Sequence, residues 1–376
     1  MRRKAEAVET GNDEIVVKNK TAKKVMGFIF LGITLAMVVV IVVLMLKSFF
    51  KPTYELSENG QYYIVTDVGD KQKELEIEAE YEGLPVKAIA EEAFKDATAL
   101  EKVVIPEGVE IIGKNAFENC SALKEVSLPS TVTVITEGAF KNCDALTEIV
   151  IPDTVTKIES YAFYACDGVK KISIGKGVTS LGRESFAGCV NVEEIYYNPV
   201  NCEAVLITED ANGKKNYNIR HAFYAVGTKA NSCTLTIGKD VEYVSMYMFY
   251  DTPLNAFDDE CGLTAIVFEE GGVCKKIGDE AFKAENFVEQ IILPNTLEKI
   301  GRFAFAGCEE LVVFFEGTAK QFEFITSNGW NKKYEEDKTT NRVKVYFYSE
   351  EQTTDANAWH YVDGVPTLWN PAPAQN

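Results

Sequence analysis

A phenylalanine recurs every 23 residues along much of the chain, and this period constrains the fold more than any other feature. The spacing holds from Phe94 to Phe186, and 23 residues again separate Phe282 from Phe305. One repeat cannot bury its own apolar face, whereas stacked repeats turn apolar columns into continuous ladders, so the sequence predicts a solenoid. Four columns keep the period: Phe94, Phe117, Phe140, Phe163, Phe186; Leu100, Leu123, Leu146, Val169, Val192; Ile105, Leu128, Ile151, Ile174; Ile112, Ile135, Ile158, Leu181.

Each repeat contains one clear strand pattern. Between Leu123 and Pro129, Val126 and Leu128 alternate with polar residues, which predicts apolar side chains facing inward and polar ones facing outward. A second short extended stretch, residues 132–135 in this repeat, leads to the phenylalanine, where we expect a single helical or 3₁₀ turn. Parallel stacking of such repeats predicts a mainly β solenoid.

The period also predicts the boundaries of the solenoid. We place it at residues 87–313, with a linker and N-terminal cap at 47–86, a C-terminal cap at 314–369 and a loose tail at 370–376. Less regular repeats centred on Phe223 and Phe249 bring the number of phenylalanine turns to nine. Because 37 rather than 23 residues separate Phe186 from Phe223, a loop insertion is expected near residues 198–218.

An uncharged apolar segment precedes the solenoid. Residues 25–46 are rich in Val, Ile, Leu, Met and Phe, and their number suffices for one transmembrane helix. Four lysines, Lys18, Lys20, Lys23 and Lys24, come before it, so the positive-inside bias predicts a cytoplasmic tail at 1–24 and an extracellular bulk. The alternative, a cleaved signal peptide, fits less well because the apolar run is long and lacks a small-x-small cleavage site.

The charge balance excludes a nucleic-acid role. The formal net charge is -19, and residues 1–51 carry nine Lys or Arg against four Asp or Glu, so the acidic excess belongs to the remainder. Phosphate binding requires clustered Lys and Arg, and no basic groove is visible. The acidic residues are spread along the chain, which is typical of a solvated surface.

The repeat resembles the BspA-like leucine-rich repeat family of bacterial surface proteins, which has the form Ala-Phe-x-x-Cys-x-x-Leu-x-x-Ile-x-Ile-Pro. Residues 119–123 and 142–146 match this form closely, as do flanking segments at 81–86, 346–350 and 359–366. The resemblance implies a leucine-rich-repeat solenoid at the cell surface that binds an extracellular protein or glycan. It names no ligand, and the apolar segment 25–46 is expected to be the anchor because no Leu-Pro-x-Thr-Gly signal occurs.

The nine cysteines are mostly explained by the repeat. Five occupy one column beside the phenylalanine, where a compact apolar side chain packs well. Four others lie in the irregular region, where one disulfide is possible but its pairing cannot be deduced from spacing. No Cys-x-x-Cys pair or calcium loop occurs, so we expect no metal and no cofactor. The column is Cys120, Cys143, Cys166, Cys189 and Cys308, and the four others are Cys202, Cys233, Cys261 and Cys274.

Only two histidines are available for nucleophilic catalysis. His221 falls in a column that elsewhere holds Glu, Asn, Gly and Tyr, which predicts an exposed position. His360 falls in the C-terminal cap, which favours a packed or hydrogen-bonded role. The sequence therefore predicts no catalytic residues and no enzyme.

One outward column of the strands is unusually apolar and is a candidate partner-binding stripe. An alternative is that β-branched residues simply suit strands, or that the inserted loop covers them. The loop itself is a second candidate, because insertions on solenoids often carry recognition. The candidate residues are Val104, Val150, Tyr196, Val267 and Ile292 on the stripe, and Tyr196, Tyr197 and Tyr217 near the loop.

The sequence therefore favours a membrane-anchored, extracellular binding or adhesion module. The alternative is a structural envelope protein that self-associates or spaces other surface components. A surface hydrolase is the third reading, and it would need a histidine beside a nucleophile.

Overall fold

The computed structural model describes residues 52–67, 72–204, 208–209, 215–216, 221–228, 232–250, 263–283, 288–308, 311–326, 329–331, 343–353 and 355–369, together with Met37. The chain divides into the units Met1–Lys51 and Pro52–Asn376. Within the described residues, no helix has the length and apolar character needed to cross a bilayer. The predicted transmembrane segment 25–46 falls outside them apart from Met37.

Pro52–Asn376 is a solenoid of stacked rungs, and each rung is one repeat. A rung contains a longer strand, a short strand and a turn around the phenylalanine. Longer strands of successive rungs pair in parallel with a 23-residue offset in the regular part, as in Ile149 with Ile172. The predicted mainly β solenoid is thereby confirmed.

The longer strands form what we call the long-strand face. Inward residues such as Ile149 and Ile151 are buried while the residues between them are exposed, as two-residue alternation requires. The face consists of two sheets, ordered β3-β6-β8 and β10-β12-β14-β18-β20-β22-β24. Their strands are β3 (Glu74–Glu76), β6 (Lys102–Val104), β8 (Glu125–Ser127), β10 (Glu148–Ile151), β12 (Lys171–Ile174), β14 (Glu194–Tyr197), β18 (Cys233–Ile237), β20 (Leu263–Phe268), β22 (Gln290–Leu293) and β24 (Val312–Phe315).

The short strands form a second face. The Ile112 column is buried at Ile112, Ile135, Ile158, Leu181, Val244, Ile277 and Ile300, and neighbouring short strands pair in parallel, as Ile135 does with Ile158. A proline turn separates the two strands of several rungs: the Val132 amide, for instance, donates to the Pro129 carbonyl. These strands are β7 (Ile111–Ile112), β9 (Val134–Ile135), β11 (Lys157–Ile158), β13 (Ser180–Leu181), β15 (Glu203–Ala204), β19 (Tyr243–Val244), β21 (Lys276–Ile277) and β23 (Lys299–Ile300).

The phenylalanine turn differs from the predicted helical or 3₁₀ turn. In the regular rungs from Phe94 to Phe186, residues two before and two after the phenylalanine adopt positive φ, for example 58° at Asn142 and 62° at Tyr161. Alternate amides therefore point to the next rung: the Phe117 amide donates to the Ala139 carbonyl and the Phe140 amide to the Ala162 carbonyl, both at 2.7 Å. Because these amides donate to carbonyls of the neighbouring rung rather than of their own, the turn does not form a helix.

The core is a stack of ladders. Neighbouring phenylalanine rings lie 4.9 to 5.6 Å apart from Phe94 to Phe305, close to the strand spacing. The expected cysteine ladder is confirmed, and it also supplies hydrogen bonds. Each of its thiols donates to the phenylalanine carbonyl of the preceding rung, as Cys143 does to Phe117 at 3.2 Å; the others are Cys120, Cys166, Cys189 and Cys308.

The N-terminal end is closed by an antiparallel strand. The short-strand sheet continues beyond β7 in the order β1-β2-β5, with β1 antiparallel to β2 and β2 parallel to β5. Tyr54 stacks on Tyr81 over this end at 4.3 Å. The strands are β1 (Thr53–Leu56), β2 (Tyr63–Asp67), β4 (Glu80–Tyr81) and β5 (Leu84–Ile89).

The C-terminal end is closed by aromatic side chains. Trp330 meets Phe305 edge-on at 5.8 Å and ends the phenylalanine ladder. The helix α1 (Ala319–Ile325), capped by Thr318, buries Phe322 between Phe315 and Trp330. The long-strand sheet then ends in β25 (Lys344–Tyr348), β26 (Ala358–Val362) and the antiparallel β27 (Val365–Leu368).

The predicted insertion begins later than expected. Residues 198–204 continue the rung: β15 pairs in parallel with β13, and the Asn198 side chain bonds the backbone and carboxylate of Asp240. The departure from the repeat follows Ala204, where β16 (Thr208–Glu209) and β17 (Lys215–Asn216) pair antiparallel. The boundary was misplaced because Asn198 and Pro199 look like loop residues, although the rung uses them.

Candidate binding face

The predicted stripe exists as one row on the long-strand face. Direct pairing aligns Val150 with Ser173, Tyr196 and Thr236 on successive strands. The row continues through Val267 and Ile292 to Phe314 and Tyr346, and Val104 with Ser127 forms its N-terminal part. We call this set the outward row.

The outward row exposes aliphatic side chains at three points. Relative exposure is 41% at Val104, 54% at Val150 and 41% at Val267, while Ile292 is half-buried. These residues are open to solvent although polar Ser and Thr occupy equivalent positions. The row is therefore discontinuous, with apolar patches on either side of a polar centre.

A shallow cavity of about 400 Å³ lies at this centre. Its walls come from β12, β14 and β18, and hydroxyl groups dominate them. Its charged groups pair with each other, since Lys171 Nζ lies 3.4 Å from Glu194 Oε2. The cavity is thus polar without net charge, and its lining is Lys171, Ser173, Glu194, Ile195, Tyr196, Thr234 and Thr236.

Tyr196 is held in place rather than projecting freely. Its hydroxyl donates to Glu269 Oε2 at 2.9 Å, and the same oxygen accepts from the Lys239 amide at 2.9 Å. Burial and the Glu269 carboxylate raise the pKa of Tyr196 to about 12. The phenol is therefore a neutral, fixed wall of the cavity.

The two other tyrosine candidates differ from expectation. Tyr197 is fully buried, with its ring edge-on to Phe249 at 5.4 Å, so its predicted role on a surface is wrong. The sequence could have predicted this burial, because Tyr197 lies 23 residues after Ile174 and therefore belongs to the same inward column. Tyr217 lies outside the described residues.

Thr236 and Glu269 are members of the site that sequence reasoning missed. Thr236 follows Tyr196 directly in the row, yet the insertion separates them by 40 positions and hides the period. Glu269 acts through a contact between rungs that no spacing reveals. Counting 13 positions back from Phe249, the distance that separates Val150 from Phe163, would have placed Thr236.

The neighbouring outward column is charged, and several of its side chains form ion pairs. Lys102 lies 3.5 Å from Glu125, and Lys171 makes the pair already described with Glu194. Such exposed pairs contribute about 0 to 1 kcal/mol each. They favour solubility more than recognition.

Both histidines are packed. His221 is buried, not exposed as predicted, and its ring meets Tyr250 edge-on at 5.2 Å. Burial lowers its pKa to about 3, so it is neutral at physiological pH. His360 stacks on Trp369 at 3.6 Å, which confirms the expected packed role.

The cysteines outside the ladder are also inward. Cys202, Cys233 and Cys274 are buried, whereas Cys261 lies outside the described residues. Burial raises the pKa of Cys202 and of Cys274 to about 12. In the part of the chain that the structure describes, no group of three or more His, Cys, Asp or Glu side chains is arranged to hold a metal ion.

Parallel 23-residue rungs, an outward strand row and ladders of Phe, Leu and Ile define a leucine-rich-repeat solenoid. A family model described as BspA type leucine rich repeat region matches residues 87–205 and 253–322 in six copies. These ranges make up half of the chain. The chain therefore belongs to the BspA-type leucine-rich repeat family, as its sequence resemblance predicted.

The chain is similar to several solved structures of bacterial proteins. A leucine-rich repeat protein of Treponema pallidum is 18% identical, with 75% of this chain and 96% of that one covered and a TM-score of 0.42. A leucine-rich cell surface protein of Faecalibacterium prausnitzii is 21% identical over 75% and 97%, with a TM-score of 0.36. The pneumococcal vaccine antigen PcpA is 13% identical over 75% and 98%, with a TM-score of 0.24. No curated protein is significantly similar to the chain.

Proposed function

We propose that this protein is a membrane-anchored, cell-surface binding module that recognises an extracellular protein or glycan through the outward row of its long-strand face. One observation carries the proposal: Val104, Val150 and Val267 remain exposed on a row that also forms a cavity. Exposed apolar patches rimmed by polar residues mark interaction sites, and here such patches flank a polar cavity. The side chains of the ladders, in contrast, are buried in the core and cannot contact a partner.

The proposed anchor is the apolar segment 25–46. Its length and lack of charge support a single span, and the lysines before it support a cytoplasmic N-terminus. The solenoid would then stand outside the cell. This topology suits recognition of surface macromolecules rather than of cytoplasmic ones.

Binding without catalysis fits the chemistry of the described residues. His221 is buried against Tyr250, and His360 stacks on Trp369. The two charged side chains of the polar cavity, Lys171 and Glu194, pair with each other. We therefore propose a non-enzymatic module with no cofactor.

The test replaces Val150 and Val267 by Lys in one variant. Both side chains are already in solvent, so the fold should be retained, while two buried charges at an interface should weaken capture of a surface partner at least tenfold. The assay is a pull-down from bacterial and host surface extracts, followed by titration of the captured partner. Unchanged affinity in a folded variant would refute a role for the outward row.

Matched controls carry the same substitution elsewhere. Ile111 is 44% exposed on the short-strand face and Val273 is 43% exposed between β20 and β21, so Ile111→Lys and Val273→Lys add similar charge away from the row. Both should bind normally. Capture of nothing but further copies of the chain, with a mass that rises with concentration, would instead support the structural envelope role.

A further inference from the structure

Three hydroxyl groups line the cavity at the polar centre of the outward row, and within the described part of the chain none of them has a hydrogen-bond partner. Ser173 belongs to β12, while Thr234 and Thr236 belong to β18. Other hydroxyls of the solenoid are used within it, as when Thr136 donates to the Ile112 carbonyl at 2.7 Å. Since each hydroxyl can donate one hydrogen bond and accept two, the cavity holds hydrogen-bonding capacity that the fold leaves unused.

Pairing of the strands does not require hydroxyls at these positions. Val150 and Val267 occupy the outward row on either side of the cavity, and Thr234 pairs directly with Glu194 in a column that is charged in the regular rungs. Both outward positions of β18 are therefore threonine where neighbouring strands carry aliphatic or charged side chains. The hydroxyls are thus a property of this cavity and not of the repeat.

The ring of Tyr196 forms a fixed wall beside these hydroxyls. Tyr196 belongs to β14, yet its hydroxyl bonds to Glu269, which directly follows β20, two strands away in the sheet. The side chain therefore leans along the sheet over the neighbouring strand and does not project straight into solvent. Among the described residues no cation covers this ring, whereas cations lie over the rings of Tyr161 and Tyr250. A ring that is already fixed loses little entropy when a ligand packs against it.

The charged side chains of the cavity neutralise each other but can still form hydrogen bonds. Lys171 pairs with Oε2 of Glu194, and both side chains remain exposed. Within the described residues Oε1 of Glu194 has no partner, so it can accept a hydrogen bond from a ligand. The Lys171 ammonium has three donors and can give one to the same ligand. The site therefore fits a ligand that is polar and uncharged.

We propose that this cavity binds an uncharged sugar segment of an extracellular glycan. The inference rests on the proposed function, because the cavity lies on the outward row, and it narrows the ligand from protein or glycan to glycan. Its volume of about 400 Å³ lies within the range of small-molecule sites. Because the cavity is shallow, the rest of the glycan can continue along the face.

The chemistry of a sugar complements each part of the cavity. Sugar hydroxyls both donate and accept, as do the hydroxyls of Ser173, Thr234 and Thr236. The C–H groups of a sugar ring carry partial positive charge and suit the negative face of an aromatic ring such as Tyr196. An aliphatic protein side chain in the same place would remove water from three hydroxyls without replacing its hydrogen bonds, which is costly.

The test titrates full-length protein in lipid nanodiscs by calorimetry with defined oligosaccharides. The neutral probes are maltohexaose, cellohexaose, laminarihexaose, mannohexaose and chitohexaose, and the acidic probe is hexagalacturonate. The test variant carries Ser173→Ala, Thr234→Val and Thr236→Val, which remove the hydroxyls and keep the β-branched shape that suits strands. At least one neutral probe should bind in a saturable manner, and the variant should bind it at least tenfold more weakly.

The direction of this change distinguishes a sugar from an apolar partner. The test variant makes the outward row more apolar, so contacts with an apolar protein surface would be retained or strengthened, whereas sugar binding should be lost. A second variant, Tyr196→Val, introduces the residue type of Val150 and should also weaken sugar binding at least tenfold. Thermal unfolding checks that both variants are folded.

A matched control removes three exposed hydroxyls outside the outward row. It carries Ser121→Ala, Thr147→Val and Thr154→Val, on rungs away from the cavity. Its oligosaccharide affinity should equal that of the unaltered protein. An equal loss of affinity in this control would overturn the cavity as the site.

Three other results would overturn the proposal. These are the absence of binding to every neutral probe, unchanged affinity in both folded cavity variants, and tighter binding of hexagalacturonate than of any neutral probe. If no oligosaccharide binds but a surface partner is captured and is lost on Val150→Lys with Val267→Lys, the glycan inference fails while the proposed function stands. Absence of both oligosaccharide binding and partner capture would overturn both.

Discussion

Cysteine in this solenoid is a hydrogen-bond donor that fits a space too small for most polar groups. The thiol of Cys143 satisfies the Phe117 carbonyl in a fully buried column. An apolar residue of similar size would leave that oxygen with only its own rung's amide, from Cys120. The column thus combines packing with hydrogen bonding. The sequence spacing predicted the packing but not the hydrogen bonds.

The buried thiols predict sensitivity to alkali. Burial raises the pKa of Cys120, Cys202 and Cys274 to about 12 from an ordinary value near 9.0. A group whose pKa is raised by folding contributes stability that is present below the unfolded pKa and is lost as pH rises towards the folded one. The urea midpoint should therefore fall between about pH 9 and pH 12.

The measurement compares the protein with a variant carrying Cys120→Ala, Cys202→Ala and Cys274→Ala. The variant will be less stable at pH 7, because buried volume and contacts are lost. Its midpoint should nevertheless decline less steeply above pH 9. Parallel curves for the two proteins would show that these thiols do not titrate with unfolding.

The burial of two residues, Tyr197 and His221, shows what the sequence can and cannot predict. Tyr197 was predictable, since the 23-residue column that contains Ile174 faces inward. His221 was not, because its column holds Glu92, Asn115 and Gly138 and so suggests no side-chain constraint. The shared constraint of the column is on the backbone, which is left-handed at Glu92, Asn115 and Gly138, whereas burial of His221 comes from Tyr250 of the next rung.

At the scale of the element, periodicity predicted the strands correctly but did not predict the conformation of the turn. Two-residue alternation placed the inward side chains of β10 and β12 correctly. The turn was expected to be helical because its residues lack strand character. Its left-handed residues instead orient alternate amides towards carbonyls of the next rung. The pattern within one repeat does not reveal such hydrogen bonds between repeats.

The insertion after Ala204 predicts a shortened chain that still folds. Leu181 pairs with Ala204, and only Gly182 and Arg183 separate Leu181 from Glu184, the residue equivalent to His221 of the next rung. Replacing residues 205–220 by Gly-Arg should therefore close the rung. The thermal midpoint should equal or exceed that of the full chain, because each halving of loop length saves about 0.6 kcal/mol of closure entropy.

The matched control deletes residues 198–218, as the sequence boundary suggests. That deletion removes β15 and the Asn198 contacts with Asp240, so cooperative unfolding should be lost or the midpoint should fall sharply. Circular dichroism during heating measures both variants. Equal behaviour of the two would mean that β15 is dispensable to the rung.

For the whole molecule, the solenoid could be predicted from the sequence because its 23-residue period is a local pattern, whereas the bounds of the two caps stay a prediction. The solenoid follows from the period, and its ends need covers that protect strand edges and apolar ladders. The helix α1 was not anticipated. Its seven residues show too few turns for helical periodicity, and only the packing of Phe322 beside Trp330 explains it.

The proposed anchor makes a prediction about the intact protein. Full-length chain expressed in a bacterium should sediment with membranes, and carbonate should not release it, because insertion of 22 uncharged, mostly apolar residues is effectively irreversible. External protease should digest the solenoid but spare a short N-terminal tag. A chain starting at Pro52 is the control and should remain in the supernatant, whereas sedimentation of both would argue against the anchor.

The identical hydrogen bonding between regular rungs has a genetic consequence. Each rung from Phe94 to Phe186 offers the same donors and acceptors to its neighbours. A whole repeat that is duplicated or deleted between these points leaves matching surfaces on both sides of the junction, and it keeps the reading frame because a repeat is a whole number of codons. Recombination within the gene can therefore change the height of the molecule in steps of one rung, about 4.8 Å, without first breaking the fold.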